Sequence, residues 1–298
     1  MTIFFSVVLP VICVFAIGFA VQKWQKLDIR PLSTVAIYVM TPALVFKTFY
    51  EADIDLQYVY MIVFSMVLLF ALILINKVYA RLRNYPSTME SGLILSTAFM
   101  NAGNYGAPII LFAYGEAGFA YAVSFLVFQS IIMNFFGVYY AARGGTGMKT
   151  AMTAVFRMPA TYAVIVAVLL KGFDVTIPEN GMQTVDIISA ATIPTVMIIL
   201  GMQLANIKWG NFEWGKISYA VIVRLLVSPL IAWGITLTMP MDPLLAKVLI
   251  VSAAMPSAAT IVMYAVQFDA KPKLVSGVTF ISTLLSVVTL TLLLMILG

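Results

Sequence analysis

Two short stretches of this chain combine polar side chains with residues that break helices. The first, AFMNAGNYGAP at residues 98–108, holds two asparagines, two glycines and a proline within eight positions. The second, SAAMPS at residues 252–257, resembles TAFMN at residues 97–101 and has a proline where the first stretch has its first asparagine. Asparagine amides donate neutral hydrogen bonds, and N–H groups freed at a helix break attract anions. The pattern predicts a carboxylate-binding site that includes Asn101, Gly103, Asn104, Pro256 and Ser257.

The elements that must position these residues are membrane helices. Of the 298 residues, 62% are hydrophobic and 10% are charged, and long apolar runs recur along the chain. A helix of about 20 apolar residues crosses a bilayer, whereas an outer-membrane barrel would show short alternating segments. The sequence therefore predicts an all-α polytopic membrane protein with a single membrane domain over residues 1–298. The net charge of +5 then reflects cytoplasmic loops rather than a nucleic-acid partner.

The hydropathy pattern predicts ten spans, with boundaries accurate to about three residues. They lie at residues 3–21, 30–49, 57–78, 90–113, 117–141, 153–171, 183–205, 214–237, 244–267 and 274–297. Lysines and arginines concentrate in the loops after odd-numbered spans, while the loops after even-numbered spans hold only Lys47, Lys171 and Lys247. The positive-inside rule therefore predicts a multi-pass protein of the cytoplasmic membrane with both termini outside.

The positions of the prolines indicate an internal repeat. Spans 1 and 2 carry Pro10 and Pro42, and spans 6 and 7 carry Pro159 and Pro194. The two breaker stretches then fall in spans 4 and 9. Five spans followed by five similar spans must be inverted, because the second half starts on the opposite side of the membrane. Such a 5+5 inverted repeat is typical of secondary transporters, and the alternative is that membrane helices simply contain many prolines. The repeats would cover residues 1–141 and 153–298.

The helix breakers stand where a membrane protein tolerates them only inside protein or beside a water-filled cavity. Met100, Asn101 and Pro108 in span 4, with Pro256 in span 9, predict two broken helices that cross near the membrane centre. Opposed half-helices would aim the positive ends of their dipoles at one point, which favours an anion. Alternatively, the glycines are small-residue packing contacts, which leaves the asparagines unexplained.

Other polar residues inside the spans are further candidates. Gln129 lines the site or ties helices together, and Asn134 lies further along the same span. Arg224 is the only cation well inside a span, so it serves the anion path or hydrogen-bonds carbonyl groups freed near the proline of span 8. Ser252 and Thr260 are the candidate oxygen ligands for a Na⁺ ion. The sequence predicts no other metal site.

Motifs spread over spans 4 to 9 carry a family resemblance. They read GAPIILFAYG at 106–115, FQSII at 128–132, AARGG at 141–145, RMPATY at 157–162, LGMQLAN at 200–206 and VRLLVSP at 223–229. Together they resemble the auxin efflux carrier family, which includes the plant PIN-FORMED carriers. Two departures from the plant pattern, Met100 in place of a proline and Ser257 in place of a glutamine, argue against auxin as the substrate. The resemblance to bacterial members of the family implies a small mono- or dicarboxylate instead.

The resemblance also implies an arrangement of the spans. It implies a homodimer that carries organic anions by an elevator movement, in which a core moves against a fixed scaffold. The scaffold would be spans 1, 2, 6 and 7, and the core would be spans 3–5 and 8–10. These correspond to scaffold helices at about residues 3–49 and 153–205, and core helices at about residues 57–141 and 214–297.

Absent features narrow the function further. The sequence has no histidine, no Walker loop and no pairing of a nucleophile with a base, so neither an enzyme nor an ATP-driven pump is expected, and no cofactor. The expected function is a secondary transporter that exports or exchanges organic anions, either uncoupled or driven by the membrane potential. The alternatives are a Na⁺-coupled symporter of the bile-acid-symporter type, and an anion channel or ligand-sensing membrane receptor.

Overall fold

The protein is helical throughout the part of the chain that the computed structural model describes. That part comprises residues 3–52, 54–142, 153, 156–207 and 213–298. Within these residues no β-strand forms, and one isolated antiparallel bridge joins Met100 to Ser257. The segment 142–152, which the sequence predicts as a cytoplasmic loop, lies outside the described residues apart from its first residue.

The described residues form fourteen α-helices. They are α1 (Leu9–Gln25), α2 (Ile29–Val35), α3 (Thr41–Glu51), α4 (Leu56–Leu82), α5 (Ser87–Ala98), α6 (Ala107–Ile132), α7 (Val138–Ala141), α8 (Pro159–Gly172), α9 (Glu179–Ala205), α10 (Trp214–Ile222), α11 (Ser228–Thr236), α12 (Pro243–Ala253), α13 (Ala259–Gln267) and α14 (Pro272–Leu297). Seven continuous helical runs are long and apolar enough to cross a membrane, and α8 and α12 are shorter apolar helices. The chain is therefore an all-helical polytopic membrane protein.

Five-residue π-helical segments interrupt the longer helical runs. Most of them end two residues before a proline: Phe4–Val8 before Pro10, Ala36–Met40 before Pro42, Ala102–Gly106 before Pro108, and Val223–Val227 before Pro229. Proline has no N–H, and its ring clashes with the carbonyl group four residues earlier. The backbone upstream of the proline therefore widens to hydrogen bonds between residues five apart. At these positions proline reshapes a helix without ending it.

The prediction that Pro108 marks a helix break is wrong. Pro108 is the second residue of α6, and helical backbone runs without interruption from Ala102 through the π-helical segment into α6. The N–H of Ala107 donates to the carbonyl oxygen of Ala102, five residues earlier, and this π-helical hydrogen bonding lets the helix continue through Pro108, which has no N–H. The break lies upstream, at residues 99–101. The kink further along this run is at Gly115, whose φ of 66° and ψ of −163° are not helical.

Two helices stop inside the protein and pair through extended backbone. Helix α5 ends at Ala98 and α12 ends at Ala253, and helical structure resumes at Ala102 and Ala259. The intervening segments run antiparallel. The N–H of Asn101 donates to the carbonyl oxygen of Pro256 at 2.9 Å, and the N–H of Ala258 donates to that of Phe99 at 3.0 Å. Part of the backbone freed by each break is thus satisfied by the other break.

Helices α1 and α9 approach each other more closely than any side chain would allow. A Cβ atom built on Gly18 would lie 2.2 Å from the carbonyl oxygen of Ile198, and one built on Gly201 would lie 2.0 Å from that of Phe15. Glycine at these two positions lets backbone pack directly on backbone, as is common between membrane helices. The contact is reciprocal, because each helix supplies one glycine and one carbonyl group.

Replacing Gly201 by alanine should therefore destabilise the protein. The added methyl group meets backbone, which cannot rotate away, so α1 and α9 must separate at a cost of about 1–3 kcal/mol. The measurement is the apparent melting temperature of the detergent-purified protein. Gly234→Ala in α11 is the matched control, because nothing lies within 4 Å of a Cβ atom at that position. Equal melting temperatures for the two variants would contradict the close contact.

Candidate binding site at the helix breaks

A cavity of about 380 Å³ opens beside the paired breaks. Its wall combines residues of the breaks, α6 and α13 with residues of α3, α8 and α9. Of the residues predicted to bind the substrate, the wall includes Asn101, Gly103, Asn104 and Gln129. It also includes Met100, predicted at the helix break, Asn134, predicted on the anion path, and Thr260, a candidate Na⁺ ligand. The structure thus brings most of the predicted residues of span 4 and span 5 together around one space.

Asn101 is the polar residue of the wall with the clearest unused bonding capacity. Its backbone is fully engaged, because its N–H donates to Pro256 and its carbonyl oxygen accepts from the N–H of Gly106 at 2.9 Å. Its side chain is only 6% exposed, and the amide nitrogen has no hydrogen-bond partner among the described residues. A buried donor without a partner costs about 1–3 kcal/mol. A ligand oxygen in the cavity would supply that partner.

Two helical runs begin at the cavity. One starts at Ala102 with Asn101 as its N-cap, and the other starts at Ala259 with Ala258 as its N-cap. Neither N-cap residue makes a side-chain capping bond. In the second run the N–H of Ile261 already donates to the carbonyl oxygen of Ala258 at 3.3 Å, so the capacity to bind a ligand lies with the other N–H groups at these two helix starts. Each helix N-terminus carries about half a positive charge. The two N-termini favour a negatively charged group in the cavity.

The second break contributes different residues from those predicted. Pro256 and Ser257 are absent from the cavity wall, which instead holds Ala258 and Thr260. The hydroxyl of Thr279 donates to Ser257 Oγ at 3.3 Å, and the N–H of Ser257 donates to Ser282 Oγ at 3.2 Å. Successive residues of an extended segment point to opposite sides, so Ala258 faces the cavity while Ser257 faces α14. Pro256 and Ser257 thus lie outside the described cavity wall, and their binding of the ligand stays a prediction.

The two polar residues of span 5 differ in how free they are. Gln129 lies in the wall and is 6% exposed. Asn134 also lies in the wall, but its amide is committed: Oδ1 accepts from the hydroxyl of Tyr264 at 2.7 Å, and Nδ2 donates to the carbonyl oxygen of Ser130 at 2.8 Å. Asn134 therefore joins α13 to the π-helical segment after α6 rather than offering a free donor.

Arg224 does not lie in the cavity wall. It is fully buried, and its Nη1 donates to the carbonyl oxygen of Thr97 at 2.6 Å. Its Nη2 donates to the carbonyl oxygen of Ala253 and to Ser228 Oγ. The sequence left two roles open, a place on the anion path or bonds to carbonyl groups freed near the proline of span 8. The carbonyl groups that it binds belong to the ends of α5 and α12, at the two breaks.

The cation that reaches the cavity is one that the sequence analysis did not single out as a site residue. Arg157, exposed and placed two residues before Pro159, is the one charged residue of the described cavity wall. Thr192 of α9 and Tyr264 of α13 also lie in the wall. The available signal for Arg157 was its position in the RMPATY motif at the start of span 6.

Comparison with known proteins identifies the family. A family model described as "Membrane transport protein" matches residues 3–154 and 146–294. The chain belongs to this family. It is the auxin efflux carrier family that the motifs indicated, and its members are membrane transporters rather than enzymes.

Individual relatives resemble the chain over nearly its whole length. An "Uncharacterized transporter" of Methanothermobacter thermautotrophicus is 29% identical over 290 residues, covering 95% of both chains. The "Uncharacterized transporter MJ1031" of Methanocaldococcus jannaschii is 27% identical, covering 96% of both. A "Putative malonate transporter" of Rhizobium meliloti is 25% identical over 275 residues, covering 87% of this chain and 84% of its own.

The two candidate Na⁺ ligands of this transporter, Ser252 and Thr260, do not both line the cavity. Thr260 lines the cavity, whereas Ser252 is a buried residue of α12 outside the wall. Among the described residues, no group of three or more His, Cys, Asp and Glu side chains could hold a metal ion.

A second cavity of about 610 Å³ adjoins the first. Leu44 and Ile193 line both cavities and form an apolar partition between them. The charged residues of the second wall are one lysine and three carboxylates: Lys47, Glu51, Glu116 and Asp186. Lys47 Nζ lies 2.7 Å from Asp186 Oδ1. The two cavities therefore differ in the sign of their charge.

Proposed function

We propose that this transporter is a secondary carrier of small organic anions of the malonate type. The observation that carries the proposal is the buried amide nitrogen of Asn101, which has no hydrogen-bond partner among the described residues. Asn101 lies in the wall of the cavity, and two helices have their N-termini at that wall. The Rhizobium meliloti relative supports a dicarboxylate. Arg157 in the wall would attract the second carboxylate group, because opposite charges steer a ligand into a cleft.

The proposed architecture is ten spans arranged as two inverted repeats of five, residues 1–141 and 153–298. The run Ala102–Ala141 is 40 residues long and is kinked at Gly115, which is consistent with two spans that meet there. The broken pairs, α5 with the run from Ala102 and α12 with α13, would be spans 4 and 9. Helix α8 would be span 6. The antiparallel pairing of the two breaks supports a twofold relation between the repeats.

The proposed mechanism is an elevator in a homodimer. The scaffold would be residues 3–49 and 153–205, and the backbone contact of α1 with α9 lies within it. The core would be residues 57–141 and 214–297, and both breaks lie within it. The cavity has walls from both parts, as a ligand held by the core against the scaffold requires. The apolar partition of Leu44 and Ile193 would separate the ligand from the opposite side.

Transport by purified protein in liposomes tests the function. A carrier should take up labelled malonate saturably, and unlabelled malonate inside the liposomes should accelerate that uptake. Currents far above carrier turnover would instead indicate a channel, and binding without flux would indicate a receptor. Uptake that requires a Na⁺ gradient would favour the symporter alternative.

The proposed orientation, with both termini outside, predicts opposite labelling of two matched positions. Leu27, after the first helical run, and Val175, after α8, are 47% and 45% exposed. In a Cys13→Ser background, a membrane-impermeant maleimide added to intact cells should label Val175→Cys and leave Leu27→Cys unlabelled. Both should be labelled after permeabilisation. The reverse pattern in intact cells would place both termini in the cytoplasm.

A further inference from the structure

The breaks bring negative helix ends, as well as positive ones, to the crossing point. Helices α5 and α12 end there, at Ala98 and Ala253, and the carbonyl groups of their last turns have no partner within the helix. Each such C-terminus carries about half a negative charge, equal in size to the positive charge of each N-terminus. Two of each kind meet at the crossing. The helix dipoles alone therefore give this place little preference for an anion.

Arg224 hydrogen-bonds the C-terminal ends of α5 and α12, which are the negative ends of the two helix dipoles. Its guanidinium donates to Thr97 O in the last turn of α5 and to Ala253 O, the last residue of α12. Ser228 Oγ also donates to Ala253 O, at 2.8 Å. No carboxylate of the described residues forms a salt bridge with Arg224, and its Nε has no partner there. Its charge is therefore not neutralised by a side chain, and a guanidinium stays protonated in proteins.

We propose that Arg224 is a specificity-determining residue that makes the crossing selective for anions. Two helix C-termini amount to about one negative charge, which one guanidinium cancels, so the positive charge of the two N-termini remains. Arg224 achieves this from behind the breaks, without touching the ligand. This inference rests on the proposed function, because it assigns the origin of anion selectivity at the same site.

A purely structural role for Arg224 would have different consequences. If the guanidinium only formed hydrogen bonds with carbonyl groups, its removal would distort the site and lower the affinity for every ligand by a similar factor. If its charge sets the selectivity, the decrease in affinity must be larger for ligands of higher charge. A dianion and a monoanion of similar shape therefore distinguish the two roles. Malonate and monoethyl malonate are such a pair at neutral pH.

Two substitutions cancel the positive charge in different ways, and each has a control that does not. Arg224→Gln removes the charge and keeps an amide donor, and its control Arg224→Lys keeps the charge and loses the planar fork. Ser228→Asp leaves the arginine in place and neutralises it with an adjacent carboxylate, since Arg224 Nη2 already donates to Ser228 Oγ. Ser228→Asn is its matched control, because it has nearly the same shape and no charge.

The experiment measures dissociation constants of both ligands for the purified full-length variants. Arg224→Gln and Ser228→Asp should raise the dissociation constant of monoethyl malonate on the order of 10-fold. They should raise that of malonate by a clearly larger factor, up to about 100-fold. Arg224→Lys and Ser228→Asn should keep the wild-type ratio of the two constants. If Arg224→Gln fails to fold, the comparison of Ser228→Asp with Ser228→Asn decides.

If Arg224→Gln and Ser228→Asp raise the dissociation constants of both ligands by the same factor, the inference is overturned and the proposed function stays intact. A wild-type protein that binds neither ligand would overturn the proposed function, and this inference with it. The two failures are therefore distinguishable from the wild-type measurement alone.

Discussion

Replacing Asn101 by alanine should raise the dissociation constant for malonate about 10- to 150-fold. A hydrogen bond to a charged ligand contributes about 1.5–3 kcal/mol, which corresponds to that range. The amide nitrogen has no protein partner, so its removal breaks no bond that the described structure makes with it. The melting temperature of the ligand-free protein should therefore stay within a few degrees of wild type. Isothermal titration with malonate measures the change in affinity.

Asn180→Ala provides the control for this measurement. Asn180 is an exposed residue in the first turn of α9 and lies outside the cavity wall. Its replacement should change neither affinity nor stability. An Asn101→Ala variant that binds malonate as tightly as wild type would show that the ligand sits elsewhere.

Replacing Pro256 by alanine should reduce malonate exchange on the order of 100-fold. Proline is about 3 kcal/mol less favourable than alanine inside a helix, so its removal lets α12 extend through the alanine-rich segment after Ser252. The carbonyl oxygen of Pro256 accepts a hydrogen bond from the N–H of Asn101, and a continuous helix would break this bond by moving the carbonyl group away. Counterflow rates of labelled malonate in liposomes measure the loss.

Pro10→Ala is the matched change for Pro256→Ala, because it also removes a proline from a membrane helix. Pro10 lies in a helical run that is continuous from Phe4 to Gln25, so alanine there has no break to close. Its exchange rate should stay near that of wild type. If both variants transport equally well, the break at Pro256 is not required for transport.

The location of the breaks was accessible from the sequence because helix breakers act locally. The cluster around Pro256 falls where α12 has ended, since proline disfavours helix over short distances. The cluster around Asn101 begins where α5 has ended, but its glycines lie further on, in the helical run that starts at Ala102. Pro108 shows the limit of that reasoning, because a π-helical segment before it lets the helix continue, and sequence alone did not fix where the helix restarts.

The direction in which each break residue faces was not accessible in the same way. Ser257 faces α14 and Ala258 faces the cavity, and this register is set by pairing with a segment more than 150 residues earlier. A shift of one residue would exchange the two faces. The identity of the second-break residues in the wall therefore depends on contacts that no local pattern records.

Arg224 and Arg157 show two different limits of reasoning from the sequence. Arg224 stood out because of its depth, but its partner carbonyl groups lie 127 and 29 residues away in the sequence. Reasoning from its neighbours pointed to the wrong carbonyl groups. Arg157 did not stand out, because an arginine at the end of a span is ordinary. Only the folded chain shows that it reaches the cavity.

The opposite charges of the two cavities have a kinetic consequence for a carrier without a coupled ion. An anion is captured more readily from the side of Arg157 than from the side of the three carboxylates, so its half-saturation concentration is lower on the Arg157 side. At zero membrane potential, thermodynamics requires the same ratio of maximal rate to half-saturation concentration in both directions. The maximal rate must therefore also be lower for transport that starts on the Arg157 side. At low concentration such a carrier transports at the same rate from both sides, whereas at saturating concentration it transports faster from the side of the three carboxylates, although its equilibrium favours neither direction.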